Sequence, residues 1–175
     1  MNYSECIEQA RKRIGNYCKA CPECNGKACR NQMPGPGSKG IGDTAIRNYD
    51  KWKEIRLQMD TIAENKPVDT SLELFDKTFQ YPFFAGPVGA VQLHYGDCQT
   101  DVTYNDILVS ACAEYGIAAF TGDGIDSNVM VAATKAIQKT DGIGIPTVKP
   151  WNLDTIKEKM DLVHASKAFA VAMDI

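Results

Sequence analysis

The sequence predicts an α/β fold: the N-terminal half of a (β/α)8 TIM barrel, behind a helical, cysteine-rich leader segment and a β-hairpin. Three observations predict it. Apolar, strand-like runs alternate with helix-like stretches at about 25–30 residues from strand to strand, the period of βα units. A hairpin-like stretch precedes the first of these runs, where it can plug the N-terminal mouth of a barrel. The last run, Phe169 to Ile175, has no helix after it, whereas a parallel strand built this way expects a crossover and a next strand. A doubly wound open sheet fits the same periodicity, and the hairpin favours the barrel. A dinucleotide-binding turn needs Gly-x-Gly-x-x-Gly after a strand, and Gly122-Asp-Gly124 meets Ser127 where the third glycine belongs.

The elements follow in order. Cys6, Ile7, Ala10, Ile14 and Tyr17 recur at helical spacing, with Ser4 as a candidate cap. Four cysteines and the Pro34–Gly42 loop come next. Asp43 or Thr44 can cap a long helix to about Glu64, striped by Ile46, Tyr49, Trp52, Ile55, Met59 and Ile62. The hairpin spans Ser71 to Phe84, turning at Asp76-Lys77. Strands are predicted at Phe83–Ala90, Ile117–Thr121, Gly144–Val148 and Ala168–Met173. The helices between them start near Thr103, Ser127, and Asn152 or Asp154. Thr103 and Asp106 resemble a capping box, and Gly116 fits a helix stop. The predicted domains are 1–42 (helix, cysteine knot and Gly/Pro loop) and 43–175 (half-barrel).

The 175 residues are enough for a real core, and 44% hydrophobic with 23% charged residues marks a globular chain. A net charge of −3 gives no electrostatic case for nucleic acid or an anionic membrane surface. No apolar run approaches the ~18 residues that span a bilayer, and Met1-Asn-Tyr-Ser-Glu-Cys6 has no signal-peptide core. A cytoplasmic protein is expected.

In a parallel βα protein, chemistry gathers where the strands end. Those ends read Gly86-Pro-Val-Gly89, Thr121-Gly-Asp-Gly124, Lys149-Pro-Trp151 and Asp174-Ile175. Glycines let a flat ring or phosphate approach the backbone. Thr121 offers a hydroxyl, Lys149 a cation and Trp151 a stacking face. Together they suit a planar, anionic ligand.

Here the residues resemble a family. Tyr81-Pro-Phe-Phe-Ala-Gly-Pro-Val-Gly89, with His94 downstream, is similar to the first barrel strand of the FMN-dependent 2-hydroxy-acid oxidases and dehydrogenases. The Ala118–Thr121 and Ala170–Asp174 strands fall in register with that family. The resemblance covers about residues 43–175, and the cysteine segment is similar to that of anaerobe-type alpha-hydroxy-acid oxidizing proteins. It implies FMN as cofactor, with the backbone of Pro87, Val88 and Gly89 against the flavin ring and the Thr121 hydroxyl bonded to it. Lys149 stands where the family usually has a ring-contacting Gln; a cation there would stabilise the anionic reduced ring. Trp151 stands where the oxidases usually have an active-site Tyr, and Ile175 replaces a polar residue. The family's base His, substrate-binding Arg residues, a flavin-contacting Lys and the phosphate loops come from strands five to eight. The resemblance therefore implies no catalytic base in this chain, weak FMN binding by the chain alone, and a second half-barrel in the same or a separate chain. His94 and His164 are expected in structural or surface roles. Type 2 isopentenyl diphosphate isomerase shares the same flavin barrel and gives an alternative activity. A half-barrel exposes strand edges, so self-association is expected.

Cys18-x2-Cys21-x2-Cys24-x4-Cys29 supplies four thiolates within twelve residues. Four thiolates satisfy tetrahedral zinc or an iron–sulfur cluster. Three closely spaced cysteines are nearer the ferredoxin run, although the fourth departs from its spacing. A metal-binding or electron-transfer module is therefore a second functional reading. Cys112 is expected to be a small core residue. The Gly35–Gly42 loop lacks the Gly-Lys-Ser/Thr ending of a phosphate loop and is expected to be a hinge.

Overall fold

A computed structural model describes residues 2–32 and 40–175. The Gly/Pro loop expected to be a hinge thus lies outside the described residues, apart from Gly40 to Gly42. The chain divides into two compact units: residues 1–67 with 92–98, and residues 68–91 with 99–175.

The N-terminal unit carries helices α1 (Tyr3–Arg13) and α2 (Thr44–Trp52). Asn2, not Ser4, caps α1: its side chain accepts from Glu5 N at 2.9 Å, and Glu5 returns a bond to the Asn2 amide. The helix predicted to run to Glu64 stops at Trp52. Its last turn tightens, with Lys53 N donating to Asp50 O, and residues 55–70 have no regular structure and are exposed. Within this unit the apolar stripe has nothing to bury against: Leu57, Met59 and Ile62 are all over 90% exposed. Amphipathic spacing without a packing partner does not hold a helix. Ala20 is the one buried hydrophobic residue of this unit among those described.

The second unit is the α/β part. It opens on the hairpin β1 (Leu72–Leu74) and β2 (Lys77–Phe79), paired antiparallel with Leu72 opposite Phe79. The turn falls at Phe75-Asp76, one residue earlier than predicted, with both residues at positive φ, as a two-residue turn of the twist-matching type requires. Phe79 is buried and meets Phe84 edge-on at 4.7 Å and Phe169 at 5.5 Å. Gln80 N donates to Gly116 O at 2.8 Å. Phe84 and Phe169 are the second residues of two predicted strands and Gly116 immediately precedes a third, so the hairpin lies at the N-terminal ends of these strands.

Helix α3 (Val91–Tyr95) starts at the last residue of the 68–91 stretch, its other residues belonging to the N-terminal unit, and three helices of the second unit follow: α4 (Asp101–Glu114), α5 (Ser127–Lys139) and α6 (Leu153–Ser166). Thr100 caps α4 with Thr103 as its reciprocal partner, Asp126 caps α5, and Asn152 caps α6. The caps of α4 and α5 thus sit slightly upstream of the predicted residues. The parallel strands β3 (Thr147–Val148) and β4 (Ala172–Met173) pair directly. The two earlier predicted strands are reduced to single bridges, Ala85 to Ala119 and Phe120 to Ile145. Pro82 and Pro87 have no N–H to donate, which shortens the first ladder. The slanted parallel bonds are present all the same: Ala85 N to Ala118 O, Phe120 N to Ala85 O, Ile145 N to Ala119 O, Thr121 N to Ile145 O and Asp174 N to Val148 O, all 2.9–3.1 Å.

Neighbouring strands are therefore neighbours in chain order, one to four. A doubly wound sheet reverses direction at a switch point, and no reversal is seen among the described residues. A barrel keeps chain order. The strands do not close into a barrel. Helices α4, α5 and α6 pack side by side over a core in which Val109, Cys112, Ile117, Ala119, Ala136 and Ile137 meet Tyr81, Phe84 and Ala168. Met130, Val148 and Val163 form a second cluster beside Trp151. Cys112 is a core residue, as expected. Among the described residues no helix is long and apolar enough to cross a membrane.

Candidate functional site

The strand ends converge as their glycines allow. A Cβ on Gly122 would lie 2.1 Å from the Val88 carbonyl oxygen and 3.2 Å from Gly89 Cα. Only a residue without a side chain lets the exits of the first two strands come this close. Pro87 is exposed, while Val88 and Gly89 are half-buried against the Gly122-Asp123 backbone. Gly86 faces open space.

Thr121 ends the second strand, fully buried, and its Oγ1 has no hydrogen-bond partner. Thr147 Oγ1 on β3 and Asn105 Nδ2 on α4 share that condition, although Asn105 Oδ1 accepts from Gly122 N at 3.2 Å. A buried polar atom without a partner costs about 1–3 kcal/mol. Such atoms at strand ends are where a polar ligand belongs. A buried, unpartnered hydroxyl beside the Gly122–Val88 backbone approach is what here fits the polar edge of a bound ring.

Asp123 organises the exits of the second and third strands. Its side chain is wholly buried. Oδ1 accepts from Lys159 Nζ at 2.6 Å and from Gly124 N at 2.9 Å. Oδ2 accepts from Trp151 Nε1 at 2.7 Å and from Lys149 N at 2.9 Å. Burial alone would raise its pKa; the bonds from Lys159, Lys149 and Trp151 outweigh that and hold the carboxyl below its ordinary value. Lys159 comes from α6 and is itself buried, its ammonium 5.5 Å from the Trp151 ring centre. Sequence reasoning took Gly122-Asp123-Gly124 as a strand end but missed Asp123 as its hub, and it missed Lys159 altogether. The signal for Lys159 was a basic residue one position before Met160, on a helix side otherwise buried at Val163 and Ser166.

The other predicted residues fall as follows. The Lys149 side chain is half-exposed with Nζ 3.4 Å from Asp174 Oδ2, a loose surface pair, while its backbone serves Asp123. Trp151 is half-buried, and its one N–H donor is bound to Asp123. His94 lies on α3. His164 is exposed in the last turn of α6, at the far end of that helix from Trp151.

In the N-terminal unit, Cys18, Cys21, Cys24 and Cys29 are free thiols. Among the described residues no three His, Cys, Asp or Glu side chains are gathered as a metal-holding group. Burial pushes the Cys24 thiol pKa up, and the neighbouring thiols of Cys29, Cys18 and Cys21 add to it, against a backbone bond from Gly26. Ala20 N donates to Cys18 Sγ at 3.5 Å. Ala20 and Gly26, each two residues after a cysteine, both take positive φ.

None of the curated proteins compared matches this chain. A model of the FMN-dependent dehydrogenase family matches residues 36–174, which takes in every strand exit described above. That family implies a TIM-barrel-like fold and FMN as cofactor, and the strand order agrees with the fold. The chain belongs to the FMN-dependent dehydrogenase family of flavin-dependent oxidoreductases.

Proposed function

We propose that residues 43–175 form the first half of a flavin barrel whose substrate is a 2-hydroxy acid. FMN, when bound, supplies a hydride acceptor. The backbone of Pro87, Val88 and Gly89 would line one side of its ring, the Thr121 hydroxyl would bond to its edge, and Lys149 would exchange Asp174 for its negative charge. The observation that carries this reading is Thr121 Oγ1, buried and unpartnered beside the Gly122–Val88 approach. Neither histidine of this chain is expected to act as the base. The proton-abstracting group, the substrate-binding cations and the phosphate loops would come from further strands, in the same protein or in a second chain. Association with that half would also cover the open edge at β4.

The test uses the protein purified from its source, with whatever is joined to these residues. Under anaerobic conditions its flavin absorbance should bleach on adding a small 2-hydroxy acid such as lactate or glycolate. A flavin that no 2-hydroxy acid bleaches would remove the substrate assignment and leave the family intact.

The cysteine cluster supports a second cofactor. We propose that Cys18, Cys21, Cys24 and Cys29 hold an iron–sulfur cluster or zinc. Two features favour it. The Cys24 thiol lies close enough to those of Cys29, Cys18 and Cys21 for their charges to raise its pKa along with burial, so the four side chains face one another, and a positive ion among them would relieve that repulsion. And a unit with one buried hydrophobic residue among those described has little else to hold it together. Elemental analysis with a sulfide assay should find metal, and Cys21→Ser with Cys24→Ser should lose it. Full metal content in that double variant would contradict the assignment.

A further inference from the structure

We propose that Asp123 is a positioning residue for the flavin site, acting through Trp151 and the Lys149 backbone; this rests on the flavin reading above. The observations are geometric. One buried carboxylate takes four N–H donors from three places: its own loop (Gly124), the exit of the third strand (Lys149 N and Trp151 Nε1) and helix α6 (Lys159). The Asp123 backbone adjoins Gly89, and Gly122 adjoins Val88. Asp123 therefore ties together the exits of strands one, two and three, the segments that carry Val88, Gly89, Thr121 and Lys149.

The Trp151 indole has a single donor, and Asp123 takes it. Trp151 therefore cannot donate to a substrate, and its ring is held at a fixed angle with the Lys159 ammonium on it. The third-strand exit presents a rigid apolar surface to whatever lies above it. Lys159 neutralises Asp123, so the hub adds no net charge to the site. The Lys149 ammonium is not drawn into the hub, because only its backbone serves Asp123; its side-chain partner is Asp174, 3.4 Å away.

The test exploits the presence of only two tryptophans. Trp52 is 74% exposed in the N-terminal unit, so Trp52→Phe leaves Trp151 as sole reporter. In that background, the charge-balanced pair Asp123→Leu with Lys159→Met removes every acceptor of the hub without stranding an ion. The Trp151 emission should shift to the red and lose anisotropy. FMN should bind about tenfold more weakly, the loss of one good contact's worth of about 1.4 kcal/mol. Trp151→Phe, which deletes the donor together with part of the ring, should give part of the same FMN loss and covers the case in which the pair fails to fold. A folded pair with unchanged Trp151 emission and unchanged FMN affinity would overturn the proposal. If the parent protein binds no FMN, the flavin reading fails, and the Trp151 emission, measured without flavin, still decides the positioning role.

Discussion

Lys159→Met is expected to destabilise the α/β unit by about 3–5 kcal/mol, the cost of stranding one member of a buried ion pair. The Asp123 carboxylate would keep its bonds from Trp151, Lys149 and Gly124 but lose the Lys159 ammonium while remaining wholly enclosed. By comparison, the exposed pair Lys51–Glu54 at 2.7 Å is worth about 0–1 kcal/mol, because water already solvates both groups. Urea unfolding of the two variants, Lys159→Met and Lys51→Met, separates these expectations.

The same substitution should invert a pH dependence. In the parent, the folded Asp123 pKa lies below its unfolded value. Its contribution is therefore fully present above the ordinary aspartate pKa of about 3.9 and is lost as pH falls through the lower folded value. Without Lys159, burial should dominate and the folded pKa should rise above the unfolded one. Acid then favours the folded variant, and the stability gap between parent and Lys159→Met should narrow as pH falls from 7 toward 4. A gap constant over that range would mean that Asp123 is neutral or solvated in the variant.

Gly122→Ala is expected to damage the site most directly. The new Cβ would meet the Val88 carbonyl oxygen at 2.1 Å and carbon at 2.8 Å, with Gly89 Cα at 3.2 Å. All three are backbone atoms, so no side chain can swing aside. The first-strand exit must move, at about 1–3 kcal/mol for overpacking and with FMN binding weakened about tenfold or more at the displaced backbone. Gly124→Ala is the matched control. Its nearest neighbour would be Val129 Cγ2 at 4.0 Å, and the N–H that serves Asp123 is retained. FMN affinity should be unchanged there.

What was legible in the sequence was what local pattern and chain order encode. The βα period, the hairpin with Phe79 and the helices beginning near Thr100, Asp126 and Asn152 all have short-range signals, and the strand exits followed from them. Thr121 was legible as a residue at a strand end, because position along a parallel strand fixes which atoms reach the mouth. Asp123 and Lys159 were not: they lie 36 residues apart, and nothing local distinguishes a buried lysine on α6 from a solvated one. Trp151 was legible as a large ring at the third exit, but its indole N–H has a partner set only by the tertiary fold. The helix predicted past Trp52 failed for the complementary reason. Its stripe of Ile55, Met59 and Ile62 has the right period, but a period stabilises a helix only where a surface receives it, and these side chains are exposed. The four cysteines were legible only as a close spacing along the chain; among the described residues no three of their kind are gathered as a metal-holding group, and the amides near Cys18 and Cys24 depend on the left-handed turns at Ala20 and Gly26.

The most direct measurement is the flavin content of the protein isolated from its source, compared with the same protein carrying Gly122→Ala. Acid-released flavin should chromatograph as FMN at close to one per chain in the parent and fall sharply in the variant while Gly124→Ala keeps it. A well-folded parent with no FMN, or a Gly122→Ala protein that retains it in full, would contradict the placement of the cofactor on these strand exits.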